Sequence, residues 1–203
     1  MELRIDEQGK ELKYHGTYGF PVNVGRKRVS SYATGSFPWH WHDEVEFTLV
    51  FSGAMEYRVN ESGYILRAGE GLFCNADALH TGGRWKASDC DYASITVHPR
   101  FLYGYEGSVL RTKYVAGVAV SSVHLTEAVP WQKQALASLK KVYQLLLEKP
   151  ELYELLNAVI ETVRDAVCMK MGTDHPVGST GGGNLARAFY APFETGSGRL
   201  YAG

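Results

Sequence analysis

The chain has 203 residues, of which 45% are hydrophobic, a formal net charge of −1 and a sequence pI of about 6.7. That size and apolar content are enough for one buried core with an appended element. The balanced charge supplies no global field for nucleic acid, and no apolar run reaches the roughly 18 residues that suggest a membrane span.

The amino terminus, MELRIDEQGK, is charged and lacks the apolar centre of a signal peptide, so a cytoplasmic location is expected. From about residue 12 to residue 98 the chain reads as β, with short Val-, Tyr-, Phe- and Ile-rich runs separated by Gly, Asn, Asp and Ser. GRKR at residues 25–28 reads as a solvated hairpin turn. VEFTLVF is followed by SG, and AMEYRV alternates up to the turn NESG. YILRA, GLFCNADALH and DYASITVHP follow, and many short strands at close spacing predict a sandwich or barrel. The three cysteines, Cys74, Cys90 and Cys168, stand at no metal-ligand spacing and are expected as free thiols.

After residue 125 the period changes. Residues 131–149 carry Ala135, Leu139, Val142 and Leu146 at helical spacing, with Pro130 near the start. Pro150 interrupts, and residues 151–170 carry Leu152, Leu155, Leu156, Val159, Val163 and Val167 on one face, with Gly172 as the stop. These two helices are expected to form an antiparallel pair. Residues 172–203 are rich in Gly, Ser and Thr, have no apolar period, and read as a flexible tail.

The titratable groups concentrate in FPWHWHDEVEF. Residues two apart on a strand point the same way, so His40 and His42 share one face, while Trp39 and Trp41 share the other and are expected to pack outside the barrel or under an N-terminal arm. Glu46 keeps the parity of the histidines, Glu44 competes with it, and His80 can close the set. Imidazoles and a carboxylate converging inside a barrel are lone-pair donors suited to a divalent metal or to polar contacts with an organic ligand. His15, His98, His124 and His175 stand in unrelated contexts.

The spacing Gly35, His40-x-His42, three residues, Glu46, six residues, Gly53 resembles the first motif of the cupin superfamily, with a gap after Gly35 one residue short. Gly69, five residues, Asn75-x-Asp77, two residues, His80 resembles the second motif, with Asn75, Asp77 and Arg84 standing where the family has Pro, Gly and Asn. The order of barrel, connecting segment and helix pair over residues 12–171 resembles the N-terminal effector-binding and dimerisation domain of AraC-type transcription regulators.

The resemblance implies a mainly β fold: a cupin jelly-roll (double-stranded β-helix) barrel with its arm over residues 1–125, followed by a dimerising antiparallel α-helix pair over 126–171. It implies a small-molecule effector bounded by His40, His42, Glu46 and His80, a homodimer, and one divalent metal (zinc, nickel, iron or manganese) on the same four residues. The helix-turn-helix part of that family has no counterpart after Gly172, so direct nucleic-acid binding by this chain is not expected; a truncated regulator and a stand-alone sensor both fit. The alternative is a metal-dependent cupin enzyme, a dioxygenase or isomerase, using the same quartet.

Overall fold

The computed structural model describes residues 3–109, 111–112 and 120–148. The expected second helix over 151–170 and the Gly-rich segment 172–203 lie outside the described residues. In chain order the elements are β1 (Val22–Arg28), a 3-10 turn (Val29–Ser31), β2 (Ser36–His40), β3 (Val45–Val59), β4 (Ser62–Arg67), β5 (Gly71–Cys74), β6 (His80–Arg84), β7 (Cys90–Val97), α1 (Arg100–Tyr103), β8 (Ser122–Leu125) and α2 (Pro130–Glu148).

The pairings among the named strands are antiparallel and β3 is their spine. Its first part pairs with β7 on one side and β5 on the other, and β1 and β8 extend that sheet at its edges. Its last part, from Ala54, pairs with β4 and β6, and β2 joins through β6. VEFTLVF and AMEYRV are therefore one strand that passes from one sheet to the next. The register shifts between Val50 and Ser52, and Gly53 adopts φ +76. A Cβ at Gly53 would collide with the carbonyl oxygen of Asp89. A bulge and a left-handed glycine bend a strand and raise its twist, which lets two sheets share it.

The parity of β3 explains its unusual composition. Val45, Phe47 and Leu49 face outward into a cluster with Ile95 and Val97 of β7 and Leu136, Leu139 and Val142 of α2. Val50 faces inward among Tyr57, Leu72, Cys74 and Tyr92, and Glu46 and Thr48 share its parity. Both faces are buried, so the run reads as continuously apolar except where the interior needs polar groups. α2 begins at its proline, a favoured first position. It buries Ala135, Leu136, Leu139, Val142 and Tyr143 on the outside of the sheet, an amphipathic stripe at helical spacing.

Two local expectations are corrected. Residues 25–28 are the end of β1 and not a turn, with Arg26 Nη2 2.6 Å from Asp91 Oδ2 on the paired β7. GLFCNADALH is not one run: β5 ends at Cys74, Asp77 turns the chain at φ +61, and His80 opens β6. No described helix is long and apolar enough to cross a membrane.

Candidate metal and ligand site

His40 ends β2 and His80 opens β6, and the two are direct partners in the register of those strands. Their ring centroids lie 4.1 Å apart. His42 follows β2 by two residues; its ring lies 5.0 Å from that of His80 and 5.9 Å from that of His40. One ligand atom from each of the three lies within 4.8 Å of the others, and all three residues are buried. The structure thus brings together the three histidines that sequence spacing singled out.

Each imidazole is held by the same device. Nδ1 of His40 lies 3.0 Å from the Pro38 carbonyl, Nδ1 of His42 3.1 Å from the Glu44 carbonyl, and Nδ1 of His80 2.8 Å from the Ala78 carbonyl. A carbonyl only accepts, so Nδ1 carries the proton and Nε2 carries the lone pair. This backbone support is the kind of outer contact that orients metal-ligating histidines. Among the described residues, Nε2 of His42 and of His80 are buried without a hydrogen-bond partner. Such an atom costs free energy unless a ligand satisfies it. The donor set therefore fits a divalent cation or a hydrogen-bonding ligand.

Glu46 stands beside this group. Its Oε1 accepts hydrogen bonds from Thr48 Oγ1 (3.1 Å) and Tyr57 Oη (3.0 Å), while Oε2 lies 3.6 Å from His42 Nε2. That separation is ionic and too long for a hydrogen bond. Glu44, its rival by parity, lies instead on the Nδ1 side of His42 at 3.5 Å. Burial works against charge on Glu46, but its contact with His42 and the potential of the imidazoles hold the carboxyl well below its usual range. Burial also opposes protonation of His42, and Glu46 outweighs it, so that imidazole is raised. Burial dominates at the other two: His40 is lowered, and His80 is pushed down to about 4. Two neutral imidazoles beside an anionic carboxylate are the protonation states a cation requires.

Four further residues belong to the neighbourhood. Thr48 and Tyr57 position Glu46, and Tyr57 also stacks on His80 at 6.1 Å and 11°. Thr48 shares the parity of Glu46 and was readable; Tyr57 lies beyond the bend in β3 and was not. Glu11 and His15 come from the N-terminal segment, which runs beside Trp41 through Glu11 N–Trp41 O (2.9 Å), Trp41 N–Gly9 O (3.0 Å) and Trp41 Nε1–Gln8 O (3.1 Å). Trp41 thus packs under the arm as expected. His15 is not in an unrelated context: its ring lies 5.0 Å from that of His42. His124 pairs with Glu70 at 3.1 Å, and His175 lies outside the described residues.

The chain is similar to several known proteins. Over 155 residues it is 34% identical to the uncharacterised HTH-type transcriptional regulator YdeC of Bacillus subtilis (strain 168), covering 74% of this chain and 52% of that protein. It thus spans about half the length of that relative. Among solved structures, an RmlC-like cupin family protein with a double-stranded β-helix fold from Methanocaldococcus jannaschii aligns at a TM-score of 0.35 and 10% identity over 39% of this chain and 72% of that one. A cupin protein from Bacteroides fragilis aligns at 0.34 and 21% identity over 43% and 73%. The family model described as the AraC-like ligand binding domain matches residues 29–166, a stretch that contains His40, His42, Glu46 and His80. With the match spanning well over half of its residues, the chain belongs to the AraC-like ligand-binding domain family.

Proposed function

We propose that this chain is the small-molecule sensor of an AraC-like transcription regulator, and that its effector binds inside the barrel at His40, His42, His80 and Glu46. The observation that carries the reading is the convergence of three backbone-anchored imidazoles, with the Nε2 atoms of His42 and His80 buried and unpartnered. A pocket with a few convergent polar groups in an apolar surround is what small-ligand recognition uses. The similarity to an HTH-type regulator supports sensing over turnover.

The same residues would hold a divalent cation through the three Nε2 atoms, with Glu46 as the neighbouring carboxylate. Such a cation supplies positive charge and open positions to which an effector oxygen or nitrogen attaches. The chain's own groups do the rest: the carbonyls of Pro38, Glu44 and Ala78 fix the tautomers, and Thr48 and Tyr57 fix Glu46. Sensing then means that the occupied barrel changes the population of arrangements around it. The domain divisions at 125 and 171, and a homodimer formed through the helices, are part of this proposal.

The test is a titration with Zn²⁺ followed at the imidazole nitrogens. Perturbation of His40, His42 and His80 together, lost in His80→Ala, supports the reading. A metal-dependent dioxygenase or isomerase built on the same quartet is the second reading; turnover of a supplied substrate by the metal-loaded protein would favour it.

A further inference from the structure

His42 faces two donor sets. One is the barrel set with His40 and His80. The other is formed with Glu11 and His15 of the N-terminal segment, and its three ligand atoms also lie within 4.8 Å of one another. These are not surface groups: the side chains of His15 and Glu11 are 5% and 8% exposed, with His15 Nε2 2.9 Å from Glu11 Oε2. On its other side His15 Nδ1 is held 3.0 Å from Thr96 Oγ1 of β7. The atom that seeks a ligand here is one this set shares with the barrel. The His42 side chain is 3% exposed and its Nε2 has no hydrogen-bond partner.

The charges point the same way. Glu11 brings a carboxylate on a side chain only 8% exposed. Glu11 and Glu46 are then two carboxylates enclosed with four imidazoles. A buried carboxylate needs a compensating cation or hydrogen-bond donor, and an uncompensated buried charge is costly. Two imidazoles and one carboxylate are a donor set suited to Zn²⁺ and its neighbours, with positions left open. His42 has one free nitrogen, because Nδ1 is committed to the Glu44 carbonyl, so it serves one cation at a time.

We propose that Glu11, His15 and His42 form a second site for a divalent transition-metal cation that shares His42 with the barrel set, and that a cation bound there fastens the N-terminal segment to the barrel. The site does not depend on His40 and His80 holding a ligand.

Co²⁺ is the probe, and the full chain is the sample. In a His40→Ala/His80→Ala variant the barrel set is gone, and one equivalent of Co²⁺ should still bind and slow tryptic cleavage after Lys10 and Lys13. Adding Glu11→Gln or His15→Gln should lower Co²⁺ affinity by at least about tenfold and abolish the protection. If the barrel variant does not fold, His80→Gln alone breaks the barrel set and gives the same readout with and without the two substitutions. The proposal is overturned if neither substitution changes Co²⁺ binding in the barrel variant, or if the barrel variant binds Co²⁺ with no protection of the segment. Failure of the barrel reading looks different: wild type and the His40→Ala/His80→Ala variant would then bind Co²⁺ equally well.

Discussion

Among the individual side chains, His80 links its own titration to stability. Its side chain is buried, and burial followed by the charge of His40 pushes its imidazole from 6.5 down to about 4. Below pH 6.5 the unfolded chain takes up a proton that the folded barrel refuses. Stability is therefore fully present above 6.5 and is lost as pH falls towards 4, by roughly 3 kcal/mol. His42 has the opposite sign: its raised pKa adds stability that is complete below 6.5 and lost as pH rises through its folded value. In protein stripped of metal with EDTA, urea unfolding between pH 4.5 and 6.5 should show the acid loss, and His80→Gln should flatten it. Equal slopes for the two proteins would show that His80 is not protected from protonation. His40 and His42 were legible from strand parity, while Glu46 and His80 were selected by motif spacing, since parity alone left Glu44 in competition. Glu11 and His15 were not, because no periodicity reveals which residues a distant arm lays against the site. His15 is 27 positions from His42 in sequence and reaches it through the pairing of the arm with Trp41 and its contact with Thr96.

The decisive element is β3. Its alternation was readable in VEFTLVF, where the outward residues meet α2 and the inward ones line the barrel. Its continuity was not readable, since Ser52 and Gly53 look like a turn and act as a bend between sheets. That distinction predicts a mutation. Gly53→Ala places a side chain at φ +76 against the backbone of Asp89 and should cost more than about 2 kcal/mol. Gly63→Ala, in β4 with nothing near its would-be Cβ, should change stability by less than about 1 kcal/mol. Denaturant midpoints of the two variants check the contrast; similar midpoints would mean that the strand does not depend on a glycine bend. β6 was missed for a related reason. HTGGR carries two glycines and little apolar signal, yet Gly82 leaves the space that Phe37 and Met55 occupy, with their tips 2.6 and 2.7 Å from where its Cβ would be.

The assembled molecule raises the question of what the helices are for. α2 spends its inner face on its own barrel, burying Leu136, Leu139 and Val142, and leaves Leu147 57% exposed. The stripe Leu152, Leu155, Leu156, Val159, Val163 and Val167 lies outside the described residues, and its apolar spacing is the basis of the proposed homodimer seam. Light scattering over a dilution series should report a dimer, and Leu155→Glu or Val159→Glu should give folded monomers with unchanged strand circular dichroism. A wild type that stays monomeric at high concentration would remove the seam from the account.

The central claim is that three imidazoles present bare Nε2 atoms to one ligand. Long-range proton–nitrogen NMR of the histidine rings at pH 8 tests it most directly. The account predicts that His40, His42 and His80 each carry the proton on Nδ1, and that Zn²⁺ shifts the Nε2 resonances of all three together with saturation at one equivalent. Protons on Nε2, or Nε2 resonances that do not respond to Zn²⁺ or to any added effector, would contradict it.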